Sequence, residues 1–222
     1  MPRPSQTLLS RAIIARAALE LLDEHGAEAL KMRTIADRLG VKGASLYHHV
    51  ASKEDLLDAV AELINDEIDL GPLADPGGAE GITAYAHGYR RVYLRYPHMI
   101  PLVARHRVSS DKALRGYDAV LAALTRYGCT PAEAAEAAAA LDNLVLGSAL
   151  ETFTAGFTGP PGAYRPNYPA LADSLEAAGA LPGGLAELDS RGFDLGVRLL
   201  LRGLAGAGPG AGAAQPQAPG PR

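Results

Sequence analysis

Two glycines stand directly behind apolar stripes of helical period. Gly26 follows a stripe through Leu9, Ile13, Ala17 and Leu21, and Gly40 follows Met32, Ile35, Ala36 and Leu39. Spacings of three and four keep apolar side chains on one face of a helix, and a glycine just past the last turn accepts the positive φ that closes it. This punctuation predicts a first helix over 5–25, with Ile14 and Ala18 widening its stripe, and a second that ends at Gly40. A third, short helix is expected over 42–49; it offers only Leu46 and Val50 to a core, with Val41 just ahead. Ser52-Lys53-Glu54-Asp55 then reads as a capping box with Asp in place of the usual Glu or Gln. It opens a fourth helix whose inner stripe is Leu57, Val60, Ala61 and Ile64.

Short helices joined through "LGVKG" make a helix-turn-helix arrangement. Lys42, Gly43, Ala44, Ser45, Tyr47, His48 and His49 are left for the outside or for the start of the third helix. Small residues there let a backbone approach DNA, and the polar ones can reach phosphates and base edges. Charge agrees with that reading. The formal net charge is -4, yet residues 31–53 hold Lys31, Arg33, Arg38, Lys42 and Lys53 against a single acid, Asp37. Residues 54–80 hold nine acids and no Lys or Arg, so a basic face with an acidic shoulder is expected. Ordinary solvated helix faces remain the alternative, as do an idle His48–His49 pair and a Tyr47 ring packed against its own helix.

Past Leu70, "GPLADPGGAEG" is a Pro/Gly-rich break and the expected boundary between two units. Helical patterns follow over 82–96, 99–104, 110–127, 131–157, 170–178 and 188–204. "TPAE" from Thr130 supplies a cap, a Pro at the first helical position and an acid at the third. The expected fold is therefore all-α. It comprises a helix-turn-helix domain over 1–52, a connecting helix over 53–69, a helical body over 70–205 and a Gly/Ala/Pro tail over 206–222. Tyr85, Tyr89, Tyr93 and Tyr96 share one helix face. Four phenols need hydrogen-bond partners or water when buried, so a ligand wall and a core stripe with wet edges both stand.

Other classes find little in the chain. "AAAALDNLVLGSAL" is broken by Asp142 and Asn143, which argues against a membrane span, and the first ten residues lack the apolar core of a signal peptide. The expected compartment is the cytoplasm. His87, His98 and His106 lie too far apart in sequence to share a helix face as zinc ligands, and Cys129 has no base beside it. Neither a nucleophile elbow nor a phosphate-binding glycine loop occurs, so neither catalysis nor a cofactor is expected. A helical interaction protein without DNA binding is the remaining alternative, and salt-sensitive binding to duplex DNA separates it from a regulator.

The run "MRTIADRLGVKGASLYHHVASKEDLLDAV", residues 32–60, resembles the TetR-type transcriptional regulators, and its "LYHHV" form is similar to the tetracycline repressor branch. "LGSALE" at 146–151 and "FDLGVRLLLRGL" at 193–204 look like that branch's long and closing helices. The resemblance implies a homodimer that binds a double-stranded operator and is released by a small-molecule effector. It places Arg33, Lys42, Ala44, Ser45 and His48 at the major groove and Tyr47, His49 and Lys53 on phosphates. Gly43 stands where the branch carries a base-reading side chain, so the operator sequence does not transfer. Effector contacts are expected from Tyr85, Tyr89, Tyr93, Arg105, His106, Arg107 and Glu151, for an aromatic or polycyclic organic acid. Asp69 and Ala104 stand where the branch carries a histidine and a metal-ligating histidine, which argues against magnesium–tetracycline. Dimer contacts are expected from Ala134, Ala138, Leu141, Val145, Ser148 and Thr152 on the long helix and Phe193, Val197, Leu200 and Leu204 on the last.

Overall fold

The computed structural model describes residues 9–74, 78–103, 111–150 and 153–206. Its helices are α1 (Arg11–His25), α2 (Met32–Leu39), α3 (Gly43–Leu46), α4 (Lys53–Asn65), α5 (Gly71–Ala74), α6 (Ala79–Arg95), α7 (Ile100–Val103), α8 (Asp111–Arg126), α9 (Pro131–Leu150), α10 (Pro169–Gly179) and α11 (Leu188–Gly206). Among the described residues there is no strand, and no helix is long and apolar enough to cross a membrane. The chain groups into two compact units. The first comprises Met1–Gly71, His87–Asp118 and Leu146–Glu151; the second comprises Pro72–Ala86, Ala119–Val145 and Thr152–Arg222.

In the first unit α1 lies against α2 and α4, and α2 against α3. The helix ends follow from their caps. α1 starts at Arg11, later than the apolar period alone predicts, because Ser10 Oγ accepts the Ile13 N–H at 3.3 Å. Gly40 closes α2 at φ 65 and ψ 30, the left-handed conformation. Gly26 closes α1 at φ 71 and ψ -174, a region open almost only to glycine. The core holds Ile14, Leu22, Ile35, Leu46, Val50, Leu56, Val60 and Ile64, all at most 1% exposed. In α4 the inner face is turned slightly from its expected stripe: Leu56 and Ala59 are buried, Leu57 and Ala61 only half so.

The α4 cap is the expected box with one change. Ser52 Oγ accepts the Asp55 N–H at 3.1 Å, but the shorter Asp55 carboxylate reaches the Ala51 N–H at 2.7 Å instead of that of Ser52. Asp55 also pairs with Arg11 of α1, which ties the start of α4 to α1. The farther end of α4 is held by polar contacts as well. Asp66 pairs with Lys112 of α8, and Glu67 takes Arg95 and the Tyr96 hydroxyl (2.9 Å) of the α6 end. Of the acids expected to form an open shoulder, Asp55, Glu62, Asp66 and Glu67 are ion-paired inside this unit.

In the second unit Thr130 and Glu133 form the complete box that opens α9. The Thr130 N–H donates to Glu133 Oε2 at 2.8 Å and the Glu133 N–H to Thr130 Oγ1 at 3.3 Å. Arg191 of α11 donates to the carbonyls of Ala178, Pro182 and Gly184, binding the end of α10 and its loop to α11. After α9 the chain turns through Thr154–Gly156, where Asp189 takes the Phe153 N–H at 2.8 Å and the Thr154 hydroxyl at 2.5 Å. Half of the two stripes expected to meet a second copy is corrected here, while Ala138, Leu200 and Leu204 stay half-buried. Ala134, Leu141, Val145, Phe193 and Val197 are all at most 2% exposed within the one chain, and Ser148 accepts from Arg90. Gly196 explains the close packing: a Cβ there would meet Leu144 Cδ1 at 2.9 Å. Thr152 lies outside the described residues.

An acid sensitivity of the fold is expected from Asp55. The Ala51 N–H and then Arg11 hold its carboxyl below the ordinary 3.8, against the opposing effect of burial. A carboxyl whose pKa is lower folded than unfolded stabilises the fold fully above the unfolded value and loses that contribution as pH falls through the folded one. Asp55→Asn keeps an acceptor for Ala51 and removes the charge. Its urea midpoint is expected to fall less steeply than the wild type's on acidification below about pH 4; parallel profiles would show that Asp55 carries no such linkage.

Candidate nucleic-acid interface

The exposed surface between α2 and α4 is built from very little secondary structure. Four residues, Gly43–Leu46, are α-helical, and 47–49 continue as a turn in which the His49 and Val50 N–H groups both donate to Leu46 O at 2.9 Å. The expected helix over 42–49 is thus half that length. A segment so short, with Gly at its first helical position, has little helical stability of its own. Leu46 and Val50, both fully buried, hold it in the core at either side of the turn.

That anchoring decides where the intervening side chains go. Lys42, Ala44, Tyr47, His48 and His49 are exposed, and Gly43 and Ser45 are partly covered. The Tyr47 ring is 55% exposed, so it is not a packing ring. Lys31 and Arg33 are exposed at the start of α2, and Lys53 at the start of α4. Those three and Lys42 make no ion pair with any described residue. Arg38 departs from the set. It folds back on Glu24 and Glu20 of α1, and the same pairing pushes its pKa further up and holds Glu24 below the carboxylate range. Sequence spacing carries no sign of this, because residues 14 apart meet only once α1 and α2 pack.

The phenol face of α6 is mostly interior. Tyr85 and Tyr93 are buried and Tyr89 is half-buried, packing edge-on to Tyr93 at 5.3 Å between ring centroids. The Tyr93 hydroxyl lies 3.5 Å from Asn65 Oδ1 at the end of α4. Burial, with Glu67 second, pushes the Tyr96 phenol up, so it remains a donor to that carboxylate. Asp69 Oδ1 accepts the Gly71 N–H at 2.8 Å and thereby caps a turn. Arg105, His106, Arg107, Ala104, Glu151 and the tail beyond Gly206 lie outside the described residues. Cys129 is buried, and burial followed by Glu133 raises its thiol pKa, the reverse of what a nucleophile needs.

The profile described as bacterial regulatory proteins, tetR family, matches residues 14–60, and the tetracyclin repressor-like C-terminal domain matches 73–207. A transcriptional regulator of Saccharopolyspora erythraea is 36% identical over 144 residues, 65% of this chain and 61% of that protein. The tetracycline repressor protein class D of Escherichia coli is 32% identical over 208 residues, 87% of this chain and 93% of its own. Among solved structures, Streptomyces coelicolor ActR in complex with actinorhodin superposes at a TM-score of 0.72 with 25% identity, covering 92% of this chain and 99% of that one. The tetR profile ends at residue 60, inside α4, and so spans the whole anchored turn. With the second profile taking up the remaining helices, the chain belongs to the TetR family of bacterial transcriptional regulators.

Proposed function

We propose that this chain is a ligand-responsive repressor that binds a palindromic operator as a homodimer. Residues 1–52 act as the DNA-binding head, 53–69 as the connecting helix, 70–205 as the effector-binding and dimerisation body, and 206–222 as a tail. The observation that carries the DNA reading is the turn held by Leu46 and Val50. It sends Lys42, Ala44, Tyr47, His48 and His49 outward beside Lys31, Arg33 and Lys53, none of which pairs with an acid among the described residues. In this reading Arg33, Lys42, Ala44, Ser45 and His48 face the major groove, Gly43 lets the backbone come close to the DNA, and Tyr47, His49 and Lys53 hold phosphates. Selection of bound duplexes from a random pool tests it, with two half-sites centred one helical turn apart, roughly 34–36 Å, as the expected product.

The burial of Phe193 and Val197 supports a dimer contact on the outward faces of the same two helices. With Val197 turned inward, α11 shows Gly192, Leu195, Leu199 and Gly203 to solvent, and α9 shows Ala132, Ala139 and Asn143. Leu195 and Leu199 are 48% and 56% exposed. Their spacing of three and four makes an apolar seam, and the small residues of α9 allow close approach in a four-helix interface between copies.

For the effector, Tyr89 is the phenol with surface to offer, beside the buried Tyr85 and Tyr93. Arg105, His106, Arg107 and Glu151 complete the proposed set, and an aromatic or polycyclic organic acid is the proposed class. The complex of ActR with actinorhodin supports reading the body as a small-molecule site. Asp69, committed to the Gly71 N–H, supports an effector other than magnesium–tetracycline.

Three outcomes are expected. In anisotropy titrations over a salt series, Tyr47→Ala and Lys53→Ala weaken binding to every duplex, and Lys53→Ala lowers the salt slope by about one. Lys42 or Ser45 substitutions instead change sequence preference, by roughly 1–3 kcal/mol per base pair. Arg38→Ala leaves affinity and slope unchanged. Wild-type affinity in the Tyr47 and Lys53 variants would remove this surface from consideration.

In sedimentation and circular dichroism, Leu199→Asp yields helical monomers that lose operator binding, whereas Val197→Asp unfolds the protein, because it buries an unpaired charge. A wild type that sediments as a monomer at micromolar concentration ends the dimer reading. Finally, a ligand that releases the wild type from its operator is expected to release Tyr89→Ala only at several-fold higher concentration. Equal release places the effector elsewhere.

A further inference from the structure

The second unit carries an open groove of about 420 Å³ that none of Tyr85, Tyr89 and Tyr93 lines. Its walls are apolar: Ala79 and Ala84 of α6, the Tyr127 ring that follows α8, and Leu201 of α11. The volume lies within the range of small-molecule sites, roughly 300–1,000 Å³. The hydroxyls at its edge already donate to backbone carbonyls. Thr83 donates to Ala79 O at 2.7 Å and Tyr127 to Leu201 O at 3.1 Å. The donors that remain are charged. Arg198 and Arg202 stand one turn apart on α11, exposed and without an ion pair to any described residue. Elsewhere in this unit Arg165, Arg126 and Arg191 are each engaged by carboxylates or carbonyls. Glu80 is the single acid at the groove and leaves its balance positive.

From this combination we propose a binding site for a small apolar carboxylate, separate from the effector site proposed above. The hydrocarbon part would lie along Ala79, Ala84, Tyr127 and Leu201, and the carboxylate would meet the two guanidiniums. A guanidinium matches a carboxylate in two parallel hydrogen bonds, and an apolar wall beside it lowers the screening of the pair. Charge decides among occupants. Residues 207–222, which follow α11 in sequence, contain no Asp or Glu and cannot neutralise Arg198 and Arg202 through a side chain. A neutral apolar molecule leaves both cations unmatched. An acid of one or two rings fits the volume and the charge together.

The test uses 2-naphthoate as probe and its neutral amide as control, titrated calorimetrically into the full-length protein. Binding of the acid at least tenfold tighter than the amide is expected. Arg198→Gln with Arg202→Gln should weaken the acid by about tenfold or more, and Glu80→Gln should strengthen it a few-fold by removing the like charge. Ala84 is exposed, so Ala84→Trp fills the groove without disturbing the core and should abolish binding without altering charge. Tyr89→Ala should leave naphthoate binding as it was, while the effector response it tests is read separately on operator release. Absence of binding to the wild type overturns the proposal. So does wild-type binding in the Ala84→Trp and double-arginine proteins, or a loss that follows Tyr89→Ala instead.

Discussion

The exposed turn between Leu46 and Val50 cannot hold its own shape. Four helical residues do not repay the cost of nucleating a helix, and the glycine that begins them adds backbone entropy. Its geometry is borrowed from the core of Ile14, Ile35, Leu56 and Val60, where each buried aliphatic side chain is worth about 1.5–3 kcal/mol. The downstream end is fixed twice more, since Ala51 donates to Asp55 and Asp55 pairs with Arg11. A surface that positions Lys42, Tyr47 and His49 is thus only as ordered as the apolar contacts beneath it. Packing errors well below the surface would blur it before any surface residue changed.

Charge placement along α4 follows the same economy. Acids at its start, Glu54 and Asp55, lie at the positive end of the helix dipole and are favourable there. Asp66 and Glu67 lie past its negative end, where acids are unfavourable unless cations arrive from elsewhere. Lys112, Arg95 and the Tyr96 hydroxyl supply that compensation. The far end of α4 therefore depends on α6 and α8, and anything that shifts those two elements acts on α4 through three polar contacts. Only a ligand with different affinity for two arrangements of such contacts can shift their populations.

Local features were the ones legible in the sequence. The Gly40 stop, the Thr130–Glu133 box, the Ser52 cap and the pairing of Leu46 with Val50 all lie within a few residues of the chemistry that sets them, and each stands in the structure as read, while Gly26 closes α1 in a different positive-φ conformation. Long-range events were not legible. Arg38 belongs to the basic segment by composition, yet meets Glu24 only when α1 and α2 pack. The acids of 54–80 look like an open shoulder until Lys112 and Arg95 reach them across long stretches of chain. The α3 segment reads as a full helix from composition but is shortened, because its propensity is weak and its anchors are tertiary. A stripe of four tyrosines, the last of which lies just past the end of α6, does not say which will be buried. Tyr85 and Tyr93 are, and Tyr89 keeps an open side.

The dimer stripes show how a periodic pattern can mislead. α9 is apolar nearly all round, so its period offers more than one face with equal credit. On α11, Phe193, Val197 and Leu200 compete with Leu195 and Leu199 for the interior. A missing side chain favours one of these faces. Gly196 leaves room for Leu144, and α9 approaches α11 along that line. The approach draws Val197 and Phe193 inward, and helix geometry then obliges Leu195 and Leu199, displaced by two residues, to face away. A continuous apolar seam turned to water loses the free energy its burial would return, about 25 cal/mol per Å². The inward turn of Phe193 and Val197 thus decides which face of α11 is left for the dimer contact proposed above.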